Sequence, residues 1–342
     1  MFVTRAIAVA CLIGGIVAVS SPAAAAEIKF GIGVAQGDYP EYNAIVRFKE
    51  YVEFKTNGEI TVRLFPGNQL GGEREMLEQV QQGSLELTMP ADGALAGFYA
   101  PIQVWSIPYL FESAPIAWEV MNGAFGDAMR KDILEKTGMR ALAFSQNGFR
   151  SFTNNVRPII KPEDMAGLKI RTMESPVYME MVRALGATPV PISGAEVVMA
   201  LRQGVVDGQE NPPAVVYSGG AGEVQDYYTL NEHTFGLHVI IANNDWFESL
   251  SPGHRQIIQD AANLAAWTEN LQKTEGDWLY ARRLQEELGM KVHVSTPEEK
   301  AAFRDKVQEP VLQFIRSNVG DELVDTLLAE VEAAKARLYG SN

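Results

Sequence analysis

The chain has 342 residues, 46% of them hydrophobic and 21% charged, with a formal net charge of −14. That composition is globular, and the excess of acid argues against binding nucleic acid or adsorbing to anionic lipid. It does not exclude an anionic small-molecule ligand, because surface charge is screened over about 8 Å while a buried arginine acts at contact range.

In chain order, Arg5, the apolar run Ala6 to Val19 and the small residues Ala24-Ala25-Ala26 have the form of a secretory signal over residues 1–26, cleaved near Ala26. The apolar run is too short for a bilayer span, and no later segment reaches about 18 uninterrupted apolar residues. Cys11, the only cysteine, lies in this leader. The exported chain is therefore expected to be soluble, periplasmic and free of thiols, disulfides and Cys-based metal sites.

From Ile28 the pattern alternates. Ile28 to Val34 reads as a strand, Glu41 to Lys55 as a helix ending near Asn57-Gly58, and Ile60 to Phe65 as a strand broken by Pro66-Gly67. A helix from Glu73 to Gln82 stops at Gly83, and Leu85 to Met89 follows as a strand. This βαβαβ order is the signature of a parallel sheet. A second such run starts with the strand Ala141 to Phe144 and continues through Leu168 to Ile170.

Arg171 falls at the carboxyl end of that last strand, and Ser175 and Pro176 open the next helix. Ligands of open α/β sheets lie beyond the carboxyl ends of the strands. A guanidinium there offers a permanent charge and a planar fork that matches a carboxylate. The competing reading at this point is a structural salt bridge. Further on, Pro176 to Leu185 reads as a helix, Pro189 to Ile192 as extended, and Ser193-Gly-Ala-Glu196 as a capping box for a helix reaching Gln203. Val205 to Asp207 leads into Gly208-Gln-Glu-Asn211-Pro-Pro213.

Two βαβ halves imply two lobes with a cleft between them. The stretch from Pro252 to about Leu288 predicts a helix of about 30 residues or more, roughly 45 Å long and able to cross both lobes. Its apolar stripe, with Ile257, Ala261, Leu264, Trp267, Leu271, Trp278 and Leu284, reads as core. Thr296 to Tyr339 is amphipathic and expected on the outside of a lobe. The fold class is thus α/β, two lobes each with a mixed, mostly parallel sheet flanked by helices. The division places residues 27–148 with 237–277 in lobe I and 149–236 with 278–342 in lobe II.

His233, His238, His254 and His293 are scattered, and no zinc motif, nucleophile elbow or Walker A loop occurs. Gly31-Ile-Gly33-Val-Ala-Gln-Gly37 imitates a dinucleotide loop with its third glycine displaced by one position. No cofactor or metal is expected, and the weight moves from catalysis toward binding.

The residues resemble the solute-binding proteins of tripartite ATP-independent periplasmic (TRAP) transporters. The resemblance rests on Gly67-Asn-Gln-Leu-Gly71, Asn147-Gly-Phe-Arg150 through Thr153-Asn154, Arg157-Pro158, and Lys161-Pro-Glu-Asp164. It continues through Gly167-Leu-Lys-Ile-Arg171, Glu174-Ser-Pro176, Leu185-Gly186-Ala187 and Gln203-Gly204 to Asn211-Pro. It implies a periplasmic-binding-protein fold that closes by a hinge on a small carboxylate. It also implies delivery to a membrane permease of small and large integral membrane subunits, by a protein expected to be monomeric.

The family's carboxylate-clamping arginine maps onto Arg171, its second arginine onto Arg150, and its ligand-contacting asparagine onto Asn211. Arg150 could instead pair with a nearby acid, and Asn211 could cap a turn. Glu73 is carried as a contact for the variable end of the ligand, although an acid at a helix start also offsets the macrodipole. Asp92, Phe149, Trp105 and Tyr109 are further candidates for specificity or aromatic walls. Glu73, Asp92 and Asp38 lean the ligand toward a hydroxy or sugar acid over a plain dicarboxylate. Relatives carry Thr-Asn-His where this chain has Asn231-Glu232-His233, a loop expected near the pocket. The alternatives are an exported enzyme acting on a carboxylate, with Glu73 or Glu210 as base, and a periplasmic sensor.

Overall fold

The computed structural model describes residues 26–340, so all but the last residue of the leader lies outside it. Nine strands form one sheet: β1 Ala26–Gly31, β2 Ile60–Phe65, β3 Leu87–Thr88, β4 Met139–Asn154, β5 Lys169–Thr172, β6 Thr188–Pro191, β7 Gly208–Asn211, β8 Tyr227–Asn243 and β9 Lys291–Val294. The order is β2-β1-β3-β8-β4-β7-β5-β6, with β9 added to β8. β1 is parallel to β2 and β3, and β5 is parallel to β6 and β7. These are the two parallel halves that the alternating pattern predicts.

The join between the halves was not legible. β4 and β8 are antiparallel and run through both halves, pairing from Met139↔Asn243 to Asn154↔Tyr227. Only Ala141 to Phe144 of β4 is plainly apolar, and the rest, Ser145 to Asn154, carries the polar motif residues. The register shifts between Gln146 and Gly148, and Gly148 has φ +115°, which a side chain would resist. A bulge bends its strand, so this one marks where one half turns into the other.

The long helix spans Pro252–Leu288, capped by Ser251, whose hydroxyl accepts the His254 N–H at 3.2 Å. Its inner face includes Ala261 and Leu284 of the expected stripe but departs from it at other large positions. Buried positions are the small Ala261, Ala262, Ala265 and Ala266 and the polar Glu269, Asn270 and Lys273, while Leu264, Trp267, Leu271 and Trp278 are exposed. Alanines let the helix approach the first helix, Pro40–Lys55, and the sheet closely. Leu264, Trp267, Leu271 and Trp278 are left to the outer face, while Ile258, Tyr280 and Leu284 stay inside. Among the described residues no helix is long and apolar enough to cross a membrane.

The tail forms two helices, Pro297–Val319 and Asp321–Tyr339. Thr296 and Glu299 build a complete capping box on the first. That helix packs on Pro176–Ala184 of the second half, whereas the last helix packs on Ala114–Met121 of the first. The tail therefore ties both halves together rather than covering one. The core has the same character: one cluster joins Trp105 and Phe144 to Tyr178, Phe303 and Val307, and two smaller clusters belong to single halves.

Two expected caps do not form. Ser175 precedes its helix, but its hydroxyl is buried without a partner. Ser193 to Glu196 makes a 3-10 turn with no side-chain cap, and the helix begins at Val197.

Candidate functional site

A cavity of about 320 Å³ lies between the halves, at the low end of the range for small-molecule sites. Gly33 and Asn68 on loops and Glu73 at a helix start line it from the first half, and Arg171, Val197 and Asn211 from the second. Arg150 and Asn147 reach it from β4, and His238 from β8.

Arg171 sits on β5, held by parallel pairing to β6. It is 3% exposed, and its Nε donates to the Ile192 carbonyl at 2.8 Å. No carboxylate pairs with it among the described residues, so its terminal nitrogens remain for the cavity. Burial, reinforced by the neighbouring Arg150, pulls its pKa down to about 10 against the attraction of Glu210 and Glu73. A guanidinium in that state gains from any anion delivered to it.

Arg150 is committed elsewhere. Its Nε donates to Glu210 Oε2 at 2.5 Å, and its Nη2 to Glu210 Oε1 at 2.8 Å and to the Glu210 carbonyl at 2.7 Å. Both side chains are fully buried. Only Nη1 is left without a partner. Burial alone would raise the Glu210 carboxyl, but Arg150 and His233 outweigh it and hold the pKa at about 2. His233 and Asn231 stand behind this pair: His233 Nε2 lies 3.4 Å from Glu210 Oε2, and its Nδ1 is 3.0 Å from Asn231 Oδ1. The Asn231-Glu232-His233 stretch, expected as a loop, is part of β8; it supports the Arg150–Glu210 pair and does not line the cavity.

Asn211 ends β7 at the cavity, its Nδ2 donating to Gln209 Oε1 at 2.6 Å and its carbonyl accepting from Tyr228 Oη at 2.8 Å. Glu73 opens the helix Glu73–Gln82, lines the cavity, and accepts the Ala91 N–H on Oε1 at 3.2 Å. Burial raises its pKa. These four residues are brought together.

The other candidates are not. Asp92 is 1% exposed and is not on the cavity wall; it accepts bonds from Ser106 Oγ of its own half at 2.7 Å and from Tyr178 Oη of the other half at 3.3 Å. Phe149 packs edge-on against Phe235, centroids 5.0 Å apart, and faces a different hollow. Trp105 is core, stacked on Phe111. Tyr109, packed against the same core, does not line the cavity. Asp38 is outside it as well, accepting from Asn43. For Phe149 the reason is backbone direction: neighbours along a strand face opposite sides of the sheet, so Phe149 and Arg150 do not share a wall.

Residues that sequence reasoning passed over include Asn147, whose buried Oδ1 has no partner, and His238. Asn147 stands in the quoted Arg150 motif, which was the available signal. His238 Nδ1 is 2.6 Å from Glu269 Oε1, and Glu269 Oε2 accepts from Ser145. Glu41, His238 and Glu269 have ligand-type atoms within 4.8 Å of one another. Lys273 Nζ, 2.5 Å from Glu41, already supplies the positive charge there.

The bacterial extracellular solute-binding proteins of family 7 match residues 32–318. The chain belongs to this family, that of the TRAP solute-binding proteins. It is 32% identical over 320 residues to the 2,3-diketo-L-gulonate-binding periplasmic protein of Escherichia coli, covering 92% of this chain and 95% of that one. The C4-dicarboxylate-binding periplasmic protein of Rhodobacter capsulatus is also 32% identical, over 93% and 94% of the two chains. In structure, the sugar acid binding protein of Advenella mimigardefordensis in complex with galactonate superposes with a TM-score of 0.87. It is 30% identical and covers 91% of this chain and 99% of its own. TRAP solute-binding proteins take small carboxylates and work with membrane permeases, and the two-lobed α/β architecture described above is theirs.

Proposed function

We propose that this chain captures a small carboxylate on Arg171 in the interlobe cavity, closes around it, and delivers it to a TRAP permease of small and large membrane subunits. The observation that carries this reading is the contrast between two buried arginines. Arg150 has its counter-ion in Glu210, whereas Arg171 has none among the described residues. A buried cation without a protein partner is costly, and a ligand carboxylate relieves it.

The division into residues 27–148 with 237–277 and 149–236 with 278–342 is carried forward with the last helix reassigned to lobe I on its packing. Closure would bend the bulge at Gly148 and the long helix. Export through the leader, cleaved near Ala26, would place a monomeric protein in the periplasm. No enzymatic role is assigned: Glu210, held at a pKa of about 2, is a poor base, and Glu73 already accepts the Ala91 N–H.

Isothermal titration of the protein and of Arg171→Ala against a panel of organic acids tests the reading. Binding that depends on Arg171 supports it. Unchanged affinity in Arg171→Ala would overturn it.

A further inference from the structure

His238 is the one ionisable residue in the β8 run from Phe235 to Ala242, and it opens onto the interlobe cavity. On one side it pairs with Ser145 of β4. On the other it bridges Ala91, whose N–H goes to Glu73. Its Nδ1 lies 2.6 Å from Glu269 Oε1, and Glu269 Oε2 accepts from Ser145 Oγ at 2.5 Å. A carboxylate at Nδ1 fixes a proton on that nitrogen. Nε2 has no protein partner among the described residues.

Charge counting gives the state of the ring. The groups that act on it are Glu269 and Lys273 from the long helix, Glu41 from the first helix, and Glu73 from the helix Glu73–Gln82. Arg150 and Arg171 share the cavity with it, and Asp277 lies one turn beyond Lys273. Lys273 Nζ answers Glu41 at 2.5 Å. Glu269, fully buried, then has His238 as its only ion-pair partner among the described residues. A neutral ring would leave that carboxylate without a counter-ion, which is costly. With the ring charged, two carboxylates face two cations. Burial works against the charged ring, yet Glu269 and Glu41 outweigh it and raise its pKa. An imidazolium held in this way still has a donor to spend: Nδ1–H serves Glu269, and Nε2–H is left for the cavity.

We infer that His238 stands in the cavity wall as an imidazolium and donates through Nε2 to an acceptor of the bound acid, which makes ligand affinity proton-linked. This rests on the reading of the cavity as a carboxylate site built on Arg171. Binding is strongest while the ring is charged. When the ring loses its proton, Nε2 turns from donor to acceptor, and the ligand meets a lone pair instead. An acceptor at Nε2 favours the charged ring, so the ligand raises the ring's pKa further, and binding above that pKa takes up a proton.

Nitrogen NMR of the intact exported protein, isotope-labelled at histidine, reads the ring directly. The His238 signals, identified by their loss in His238→Gln, should show both nitrogens protonated at pH 7.5. A neutral ring at that pH overturns the inference. Calorimetry with galactonate and with succinate then reads the linkage. Raising the pH through the ring's own pKa, taken from the same spectra, should weaken a bound probe at least about tenfold, the weight of one charge-assisted hydrogen bond. In His238→Gln that step should vanish. Should the single variant not fold, His238→Gln combined with Glu269→Gln keeps the cluster neutral and replaces it. A parent without the step overturns the inference and leaves the Arg171 clamp intact. A step that survives in the variant does the same, since the titration then belongs to Glu73 or Asp277. Probe binding that is indifferent to Arg171→Ala sinks the clamp, and the inference with it.

Discussion

Arg150 and Glu210 face each other across the β4–β7 pair, sixty positions apart in the chain, joined by three hydrogen bonds of 2.5–2.8 Å with neither side chain exposed. Glu210 fixes the Arg150 guanidinium and cancels its charge, which leaves Arg171 as the cavity's uncompensated cation. Binding chemistry in this protein is set as much by which arginine is neutralised as by which arginines are present.

Glu210→Gln should therefore destabilise the fold, by about 3–5 kcal/mol, because it strands a buried guanidinium. The Glu210 pKa is depressed to about 2 from an ordinary 4.5. Its contribution is then fully present above the unfolded value and lost as pH falls through the folded one. Chemical denaturation should show the same deficit at pH 6 and pH 8, shrinking below pH 4. A deficit that grew on acidification would contradict the pairing.

Arg171→Ala should weaken carboxylate binding by about 2–5 kcal/mol, at least about thirtyfold. Arg171→Lys should fall between the two proteins, since an ammonium keeps the charge but not the planar fork. Calorimetric dissociation constants of the three side by side give the ranking. Lysine equal to arginine would mean that charge alone is read.

Asp277 lies on the long helix near Lys273, and its Oδ1 is buried without a partner. Burial, with Glu41 adding to it, lifts its pKa from 3.8 to about 7 against the pull of Lys273. A folded-state pKa raised in an acid means that the native protein binds the proton more tightly. Stability from this group should rise as pH falls from 8 toward 4. Asp277→Asn should melt higher than the parent at pH 8 and level with it near pH 4. Parallel melting curves across that range would refute the assignment.

Gly208 opens β7, and a Cβ there would lie 2.0 Å from the Thr153 carbonyl oxygen. Backbone cannot swing aside as a side chain can, so Gly208→Ala should cost about 1–3 kcal/mol or more. Because Gln209 to Asn211 follow directly, ligand affinity should fall with it. A melting temperature and affinity matching the parent would show that β7 tolerates displacement.

The sequence alone determined the alternation that makes two parallel half-sheets, the extent of the Pro252–Leu288 helix, and the placement of Arg171, Arg150, Asn211 and Glu73 around one site. Those are local matters: period, punctuation by glycine and proline, and motif. Tertiary structure decided the rest. It joined the halves through β4 and β8, turned the small and charged face of the long helix inward, and withdrew Asp92, Phe149, Trp105 and Tyr109 from the cavity. It also chose Glu210 as the partner of Arg150. Pairing across a sheet depends on register between segments far apart in the chain, and no periodicity within either segment encodes it.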